Sequence, residues 1–125
     1  MDFKKWGSIV IVAVAIIGMG ILIFWEDGQP GKYDEFASCL KEKGAIFYGA
    51  FWCPHCQSQK KIFGNSADNL NYVECSTPDG NGQLQVCKDA KIDGYPTWVF
   101  ADGSRKTGEL SFAELAEKTG CQVLK

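Results

Sequence analysis

The chain has 125 residues, with 13 Lys or Arg against 15 Asp or Glu, and a formal net charge of −2. This length allows one domain and at most a short appendage. The slightly acidic balance argues against the basic surface of a nucleic-acid-binding protein, so we expect no nucleic acid among its partners.

The N-terminal segment has the sequence of a membrane anchor. No charged residue occurs from Trp6 to Trp25, and a helix of about 20 residues spans the roughly 30 Å core of a bilayer. The apolar run is longer than the core of a cleaved signal peptide, and no small-x-small cleavage site follows it. We therefore predict a cytoplasmic N-terminus at 1–5 and an uncleaved signal anchor at 6–25 that contacts the lipid bilayer. A cleaved signal is the alternative.

The charges on either side of this span predict its orientation. Two lysines precede it and two acidic residues follow it. Basic flanks stay on the cytoplasmic side, so we expect the rest of the chain in the periplasm or at the cell exterior. All six cysteines lie in that exported part, and exported cysteines are usually paired. We place a polar linker, broken by Gly and Pro, at 26–32 and the domain at 33–125.

The exported part alternates predicted helices and strands. In chain order they are a helix at 33–43, a strand at 45–49, a helix at 54–63, a strand at 72–75, a short helix at 84–91, a strand within 94–100, its hairpin partner at 105–108, and a helix from a capping box at 111–114 to 119. Strands separated by helices imply parallel neighbours, and the hairpin adds an antiparallel edge. The pattern predicts an α/β fold with a mixed four-stranded sheet and helices on both faces. On the 54–63 helix we expect Gln59 on the polar face and Ile62 turned inward.

The stretch F-W-C-P-H-C at 51–56 carries the candidate chemistry. Pro54 suits a first helical turn, so Cys53 should lie over backbone N–H groups whose dipole favours its thiolate. His55, when charged, adds to that effect, and a stabilised thiolate makes the disulfide more oxidising. Cys53 should therefore be the exposed nucleophile, and Cys56, one turn further on, the buried resolving thiol. Pro54 and His55 tune the pair.

Two other uses of this motif deserve comparison with a redox switch. Cys53 and Cys56 could form a permanent structural disulfide, although bonds that close so short a loop are strained and labile. Together with His55 they could instead hold copper or zinc. Zinc usually has a second pair of ligands, and the chain contains one histidine. We therefore predict a redox pair with no metal and no bound cofactor.

Four features in this order resemble the thioredoxin fold: an apolar strand, W-C-x-x-C, a long helix, and Tyr95-Pro96-Thr97 before the last hairpin. The resemblance implies that Pro96 is cis and lies against the active-site disulfide, where the preceding residue offers its backbone to a substrate chain. Trp52, Tyr95, Pro96 and Thr97 are then the substrate-binding residues. The C-P-H-C sequence resembles the exported oxidants of the Dsb type. In thioredoxin-type reductases a buried Asp stands at the position of Phe47, so this departure argues against such a reductase.

A closer resemblance is carried by F-Y-G-A-F-W-C-P-H-C, V-E-C-S-T-P-D-G, G-Y-P-T-W and E-K-T-G-C, which together lie within 33–121. These runs are similar to the thioredoxin-like domain that some bacteria fuse to, or pair with, vitamin K epoxide reductase homologues. The resemblance implies an extracytoplasmic thiol–disulfide oxidoreductase that accepts electrons from exported cysteine-containing proteins. A quinone-linked membrane disulfide oxidase would reoxidise it. The alternatives are a reductase or isomerase, for example in cytochrome c maturation, and a non-enzymatic metal-binding chaperone.

The other four cysteines are most simply structural, and the alternative is that one of these outer pairs relays electrons. Cys75 and Cys87 enclose the loop S-T-P-D-G-N-G, and we pair them. Cys39 then pairs with Cys121 and ties the first domain helix to the C-terminal end. The sequence also permits Cys39–Cys87 with Cys75–Cys121, or Cys39–Cys75 with Cys87–Cys121.

Overall fold

The first element of the structure is a helix of 21 residues. The computed structural model describes residues 3–23 and 29–124, and the side chains of 6–17 within that first helix. The helix, α1, spans Phe3–Ile23. Its described side chains are all exposed.

The predicted anchor falls only partly on described residues. Within the part of the chain that the structure describes, no helix combines the length and the apolar character needed to cross a membrane. The anchor predicted at 6–25 and the linker predicted at 26–32 both include positions between 24 and 28, which lie outside the described residues.

The remaining elements follow the predicted order. They are helix α2 (Asp34–Glu42), strand β1 (Ile46–Gly49), helix α3 (Pro54–Phe63), a 3₁₀ helix (Gly64–Asn69), strand β2 (Tyr72–Glu74), helix α4 (Gln85–Asp89), strands β3 (Thr97–Val99) and β4 (Arg105–Thr107), and helix α5 (Phe112–Thr119). Helix α3 has the predicted bounds. The 3₁₀ helix was not expected, because Gly64 suggested only a helix end.

The predicted capping box begins α5. The Glu114 backbone N–H donates to Ser111 Oγ at 3.2 Å, and the Ser111 N–H donates to Glu114 Oε2 at 2.8 Å. Two backbone donors of the first turn are thereby satisfied. Gly120 ends the helix at φ 76°, a left-handed conformation that glycine adopts at little cost.

The sheet has the strand order β2-β1-β3-β4. Strands β1 and β2 run parallel, with Phe47 opposite Tyr72 and Gly49 opposite Glu74. Strand β3 runs antiparallel to β1, and β4 runs antiparallel to β3. The expectation that helix-separated strands are parallel neighbours is therefore wrong for β3. That rule applies to consecutive strands that pair with each other. Strand β3 follows β2 in the chain but pairs with β1, on the opposite side from β2.

Alternation along the strands divides the core between the two faces of the sheet. Phe47 packs in the larger cluster with buried residues of α2, α3 and α5, whereas Tyr48 packs in the smaller one with Cys87 of α4. The prediction of helices on both faces of a mixed four-stranded sheet is confirmed.

Helix α3 is oriented differently from the sequence expectation. Cys56, Gln59 and Phe63 point inward, while Ile62 is 43% exposed. The predictions for Gln59 and Ile62 are therefore wrong. Positions three and four residues apart share one helix face, and Gln59 can lie in the core because both polar atoms of its amide have hydrogen-bond partners there.

The partners of the Gln59 amide join three parts of the domain. Its Oε1 accepts from Leu110 N at 2.7 Å and from Trp98 Nε1 at 3.2 Å, and its Nε2 donates to Leu110 O at 3.0 Å. Buried polar groups persist where such partners exist. This amide fixes the helix that carries the C-x-x-C motif against β3 and the segment before α5.

Candidate active site

The motif cysteines lie at the N-terminal end of α3. Cys53 is the residue before the first helical turn, and Pro54 follows it in that turn, where its missing N–H leaves no helical hydrogen bond unmade. Both cysteines are unpaired. Cys53 is 6% exposed and Cys56 is 1% exposed, so a partner reaches Cys53 more readily. The prediction that Cys53 is exposed is therefore wrong, because the Tyr95 backbone lies against its sulfur. The prediction that Cys56 is buried is confirmed.

Burial dominates the ionisation of Cys56. Desolvation raises the pKa of its thiol to about 12, and the hydrogen bond with Cys53 acts in the same direction. A backbone hydrogen bond from Ala50 and the charge of Lys60 oppose this shift. Cys56 therefore keeps its proton at neutral pH, and any step in which it becomes a nucleophile needs a group that takes the proton.

The loop before β3 supplies the other side of the site. The Tyr95–Pro96 peptide bond is cis, as the thioredoxin resemblance implies, and Cys53 Sγ donates to Tyr95 O at 3.7 Å. Pro96 and Thr97 are buried. The Thr97 hydroxyl donates to Gly94 O at 2.7 Å, so this side chain holds the loop in place and Tyr95 is the more accessible of the three.

Aromatic side chains form an exposed rim beside Cys53. Phe51 is 50% exposed and Trp52 is 48% exposed. The Trp52 ring meets the Tyr95 ring edge-on at 6.0 Å between centroids, and Trp52 Nε1 donates to Ser76 Oγ at 2.9 Å. Amphipathic rings fixed in this way suit the docking of a peptide chain.

His55 pairs with an acid that the sequence did not suggest. Its Nδ1 lies 3.0 Å from Glu109 Oε2, and the two side chains are 71% and 42% exposed. A side-chain contact this exposed adds little stability. The partners are 54 positions apart, so only the folded chain brings them together.

Glu74 is a second acid that sequence reasoning missed. Its Oε1 accepts from Phe51 N at 3.2 Å and from Ser76 N at 2.9 Å, and its Oε2 accepts from the Tyr72 hydroxyl at 2.7 Å. One carboxylate thus joins β2 to the loop that carries the motif. The available signal was the two-residue spacing of Tyr72 and Glu74, which places both on one face of the strand.

Phe47 packs against aromatic rings in the core. Phe47 is fully buried, stacks on Trp98 at 4.9 Å and meets Tyr72 edge-on at 5.0 Å between ring centroids. It offers no proton acceptor to the site.

The other four cysteines form two disulfides. Cys39 is bonded to Cys121 and Cys75 to Cys87, which are the two pairs preferred from the sequence. Only the motif cysteines are free among the described residues. No cluster of three or more His, Cys, Asp or Glu side chains able to hold a metal occurs in the ranges 3–23 and 29–124.

Comparison with known proteins agrees with this fold. The family model described as Thioredoxin matches residues 28–119. Thiol-disulfide oxidoreductase LTO1 of Arabidopsis thaliana is 51% identical over 89 residues, covering 67% of this chain and 23% of that protein. The thioredoxin domain-containing protein 5 homolog of Drosophila melanogaster is 31% identical over 96 residues, covering 66% of this chain and 22% of that protein. The chain thus spans less than a quarter of the length of either relative.

Proposed function

The chain belongs to the thioredoxin family, and from this premise we propose that it is a membrane-anchored, extracytoplasmic thiol–disulfide oxidoreductase. It promotes disulfide formation in exported cysteine-containing proteins through the Cys53–Cys56 pair. One observation carries the proposal: the two free thiols lie at the start of α3, with Cys53 against the Tyr95 carbonyl and an aromatic rim beside it.

The reaction transfers two electrons and two protons from a substrate dithiol. A substrate thiolate attacks Cys53 Sγ of the oxidised pair, the Cys53–Cys56 bond breaks, and Cys56 leaves with the electron pair and takes up a proton. The second substrate thiolate attacks the substrate sulfur of the mixed disulfide and expels Cys53. The products are a substrate disulfide and the reduced pair.

The oxidising direction has support from the surroundings of the pair. Cys53 stands at a helix N-terminus, where backbone N–H groups and the helix dipole in general favour negative charge. Stabilising the reduced state makes the disulfide a stronger oxidant. The buried Phe47 occupies the position from which an acid would assist a thioredoxin-type reductase.

The membrane anchor and the electron acceptor rest on the sequence. The uncharged run from Trp6 to Trp25 has the length of a membrane span, and its charged flanks favour an extracytoplasmic domain. The resemblance to domains that partner vitamin K epoxide reductase homologues suggests the acceptor. A quinone-linked membrane disulfide oxidase of that type would reoxidise Cys53–Cys56, and the anchor would keep the pair near it.

Trapping of mixed disulfides tests this function. In native membranes, the variant Cys56→Ala cannot resolve a mixed disulfide, so Cys53 should accumulate covalent adducts that non-reducing electrophoresis separates and mass spectrometry identifies. The matched control is Cys53→Ala/Cys56→Ala, which should form none. Adducts with exported cysteine-containing proteins and a membrane disulfide oxidase support the proposal. Adducts confined to cytoplasmic proteins would contradict it.

A further inference from the structure

In the reduced site, Cys56 needs a group that can accept its proton. Burial keeps this thiol protonated, yet it must lose its proton when it attacks a mixed disulfide at Cys53. The same proton must return when Cys56 is the leaving group. Phe47 supplies no acceptor, so the route for that proton must come from another element.

The side chains of β2 lie against Cys56 because Gly49 has no side chain. A Cβ at Gly49 would lie 3.0 Å from Cys56 Sγ, 3.3 Å from the Tyr72 hydroxyl oxygen and 2.9 Å from Tyr72 Cε2. The sulfur and the phenol therefore face the same small space beside the Gly49 backbone. Any larger residue there would intrude between them.

A hydrogen bond leads from Tyr72 to Glu74. The Tyr72 hydroxyl donates to Glu74 Oε2 at 2.7 Å, which leaves the hydroxyl oxygen free to accept. The other carboxylate oxygen of Glu74 is held by Phe51 N and Ser76 N. Burial, followed by the bond to Glu74, raises the pKa of Tyr72, so the phenol stays protonated and can pass a proton on without ionising.

A cation completes this group. Lys60 Nζ lies 3.4 Å from the centroid of the Tyr72 ring, one helical turn beyond Cys56 on α3. The charge of Lys60 favours the Cys56 thiolate. The groups that act on Cys56 are thus the Ala50 backbone, Cys53 and Lys60. Tyr72 of β2, hydrogen-bonded to Glu74, faces it across the space at Gly49.

We propose that Tyr72 and Glu74 form the proton route to Cys56, with Lys60 stabilising the thiolate that results. The inference deepens the proposed function and rests on it. As Cys56 attacks the mixed disulfide, its proton passes to the Tyr72 oxygen while the Tyr72 proton passes to Glu74. A Cys53–Cys56 bond forms and the substrate thiolate leaves with the electron pair. Glu74 then releases its proton to solvent. In the oxidising direction Glu74 takes up a proton from solvent, and protons pass through Tyr72 to Cys56 in the reverse order.

Reaction of the reduced full chain in detergent micelles with Ellman's reagent, a chromogenic aromatic disulfide, separates the two steps. The first thionitrobenzoate is released by attack of Cys53, and the second by attack of Cys56 on the mixed disulfide. We expect Tyr72→Phe and Glu74→Gln to slow the second release at pH 7 by at least about a hundredfold, the lower end of general acid–base effects. The first release should change by less than about twofold.

The pH profile separates proton transfer from a merely structural role. Without the internal acceptor, hydroxide must remove the proton, so the second release in both variants should rise about tenfold per pH unit between pH 6 and 9. The wild-type rate should rise less steeply. Lys60→Met should also slow this step, and Lys60→Arg should restore it.

Tyr48→Phe is the matched control, because Tyr48 lies on the adjacent strand but packs on the opposite face of the sheet. It should leave both releases and both pH profiles unchanged. Tyr72→Phe and Glu74→Gln variants with wild-type second-release rates and slopes would overturn the proton route. A wild-type chain that gives no first release would instead overturn the proposed function, so the two failures are distinguishable.

Discussion

Two groups of cysteines in this domain share one side-chain chemistry but differ in their surroundings. Cys53 and Cys56 are separated by two residues, are unpaired, and lie where a helix begins beside an exposed aromatic rim. The other four are joined across 82 and 12 positions of the sequence. Cys75 and Cys87 are fully buried. Under the proposed function, the difference teaches that position in the fold decides whether a cysteine pair serves catalysis or holds the scaffold.

The largest expected effect is on the oxidation rate, which should depend on the motif cysteines and not on the disulfide-bonded ones. Replacement of the nucleophile in Cys53→Ser should lower the oxidation rate of a fluorescent dithiol peptide on the order of a thousandfold or more, because no covalent intermediate forms. The double variant Cys75→Ala/Cys87→Ala, measured below its unfolding temperature, should stay within about twofold of wild type. Comparable losses in both variants would erase the distinction.

The two structural disulfides should contribute to the free energy of unfolding, and the one that closes the longer loop should contribute more. Removal of a disulfide releases conformational entropy of the unfolded chain, more for a longer loop. Cys39→Ala/Cys121→Ala should therefore cost about 4.5 kcal/mol of unfolding free energy and Cys75→Ala/Cys87→Ala about 3 kcal/mol. Denaturant unfolding of the full chain measures both costs. The reference is the wild-type chain with both structural disulfides intact and Cys53 and Cys56 reduced. Equal costs, or the reverse order, would contradict this assignment.

The helix that carries the redox pair depends on a buried amide of the scaffold. Gln59→Leu keeps the approximate volume but leaves Trp98 Nε1 and both backbone groups of Leu110 without their partner. Unsatisfied buried groups cost about 1–3 kcal/mol each, so we expect a loss of roughly 3 kcal/mol in denaturant unfolding. Gln57→Leu is the matched control, because Gln57 is exposed. A loss as large in the control would show that the amide network is not the cause.

The smallest effect is the dependence of stability on pH that Cys56 adds to that of the rest of the chain. The folded pKa of Cys56 is about 12, above the value of about 8.5 for an unfolded thiol. Its contribution is thus fully present below about pH 8.5 and is lost as the pH rises towards the folded pKa. Between about pH 9 and 11 the reduced protein should lose about 1 kcal/mol per pH unit relative to Cys56→Ala. Parallel curves for the two proteins would contradict the raised pKa.

Much of the fold was predictable because its signals are local. Glycines and periodic apolar residues mark the elements, Pro54 marks the start of α3, and Ser111 with Glu114 forms a capping box that the structure contains. The direction of β3 was not predictable from the same signals. It depends on which side of β1 the strand occupies, and no local spacing encodes that choice.

The candidate site also contains residues that the sequence predicts and residues that only the folded structure shows. The motif and Pro96 are visible in the sequence because their spacing is typical of the fold. Glu109 and Glu74 are not, because an acidic side chain at the surface or at the end of a strand is usually solvated. Gln59 was assigned to the wrong face because its partners come from β3 and from Leu110, which only the folded chain brings to it.

The reduction potential of the Cys53–Cys56 pair tests the central claim most directly. The full chain in detergent micelles is equilibrated with glutathione buffers, free thiols are alkylated, and mass spectrometry quantifies the peptide that contains both cysteines. An oxidising pair should show a potential between about −180 and −120 mV, in the range of protein disulfide isomerase and DsbA. A value near about −270 mV, that of thioredoxin, would contradict the proposed direction of electron flow.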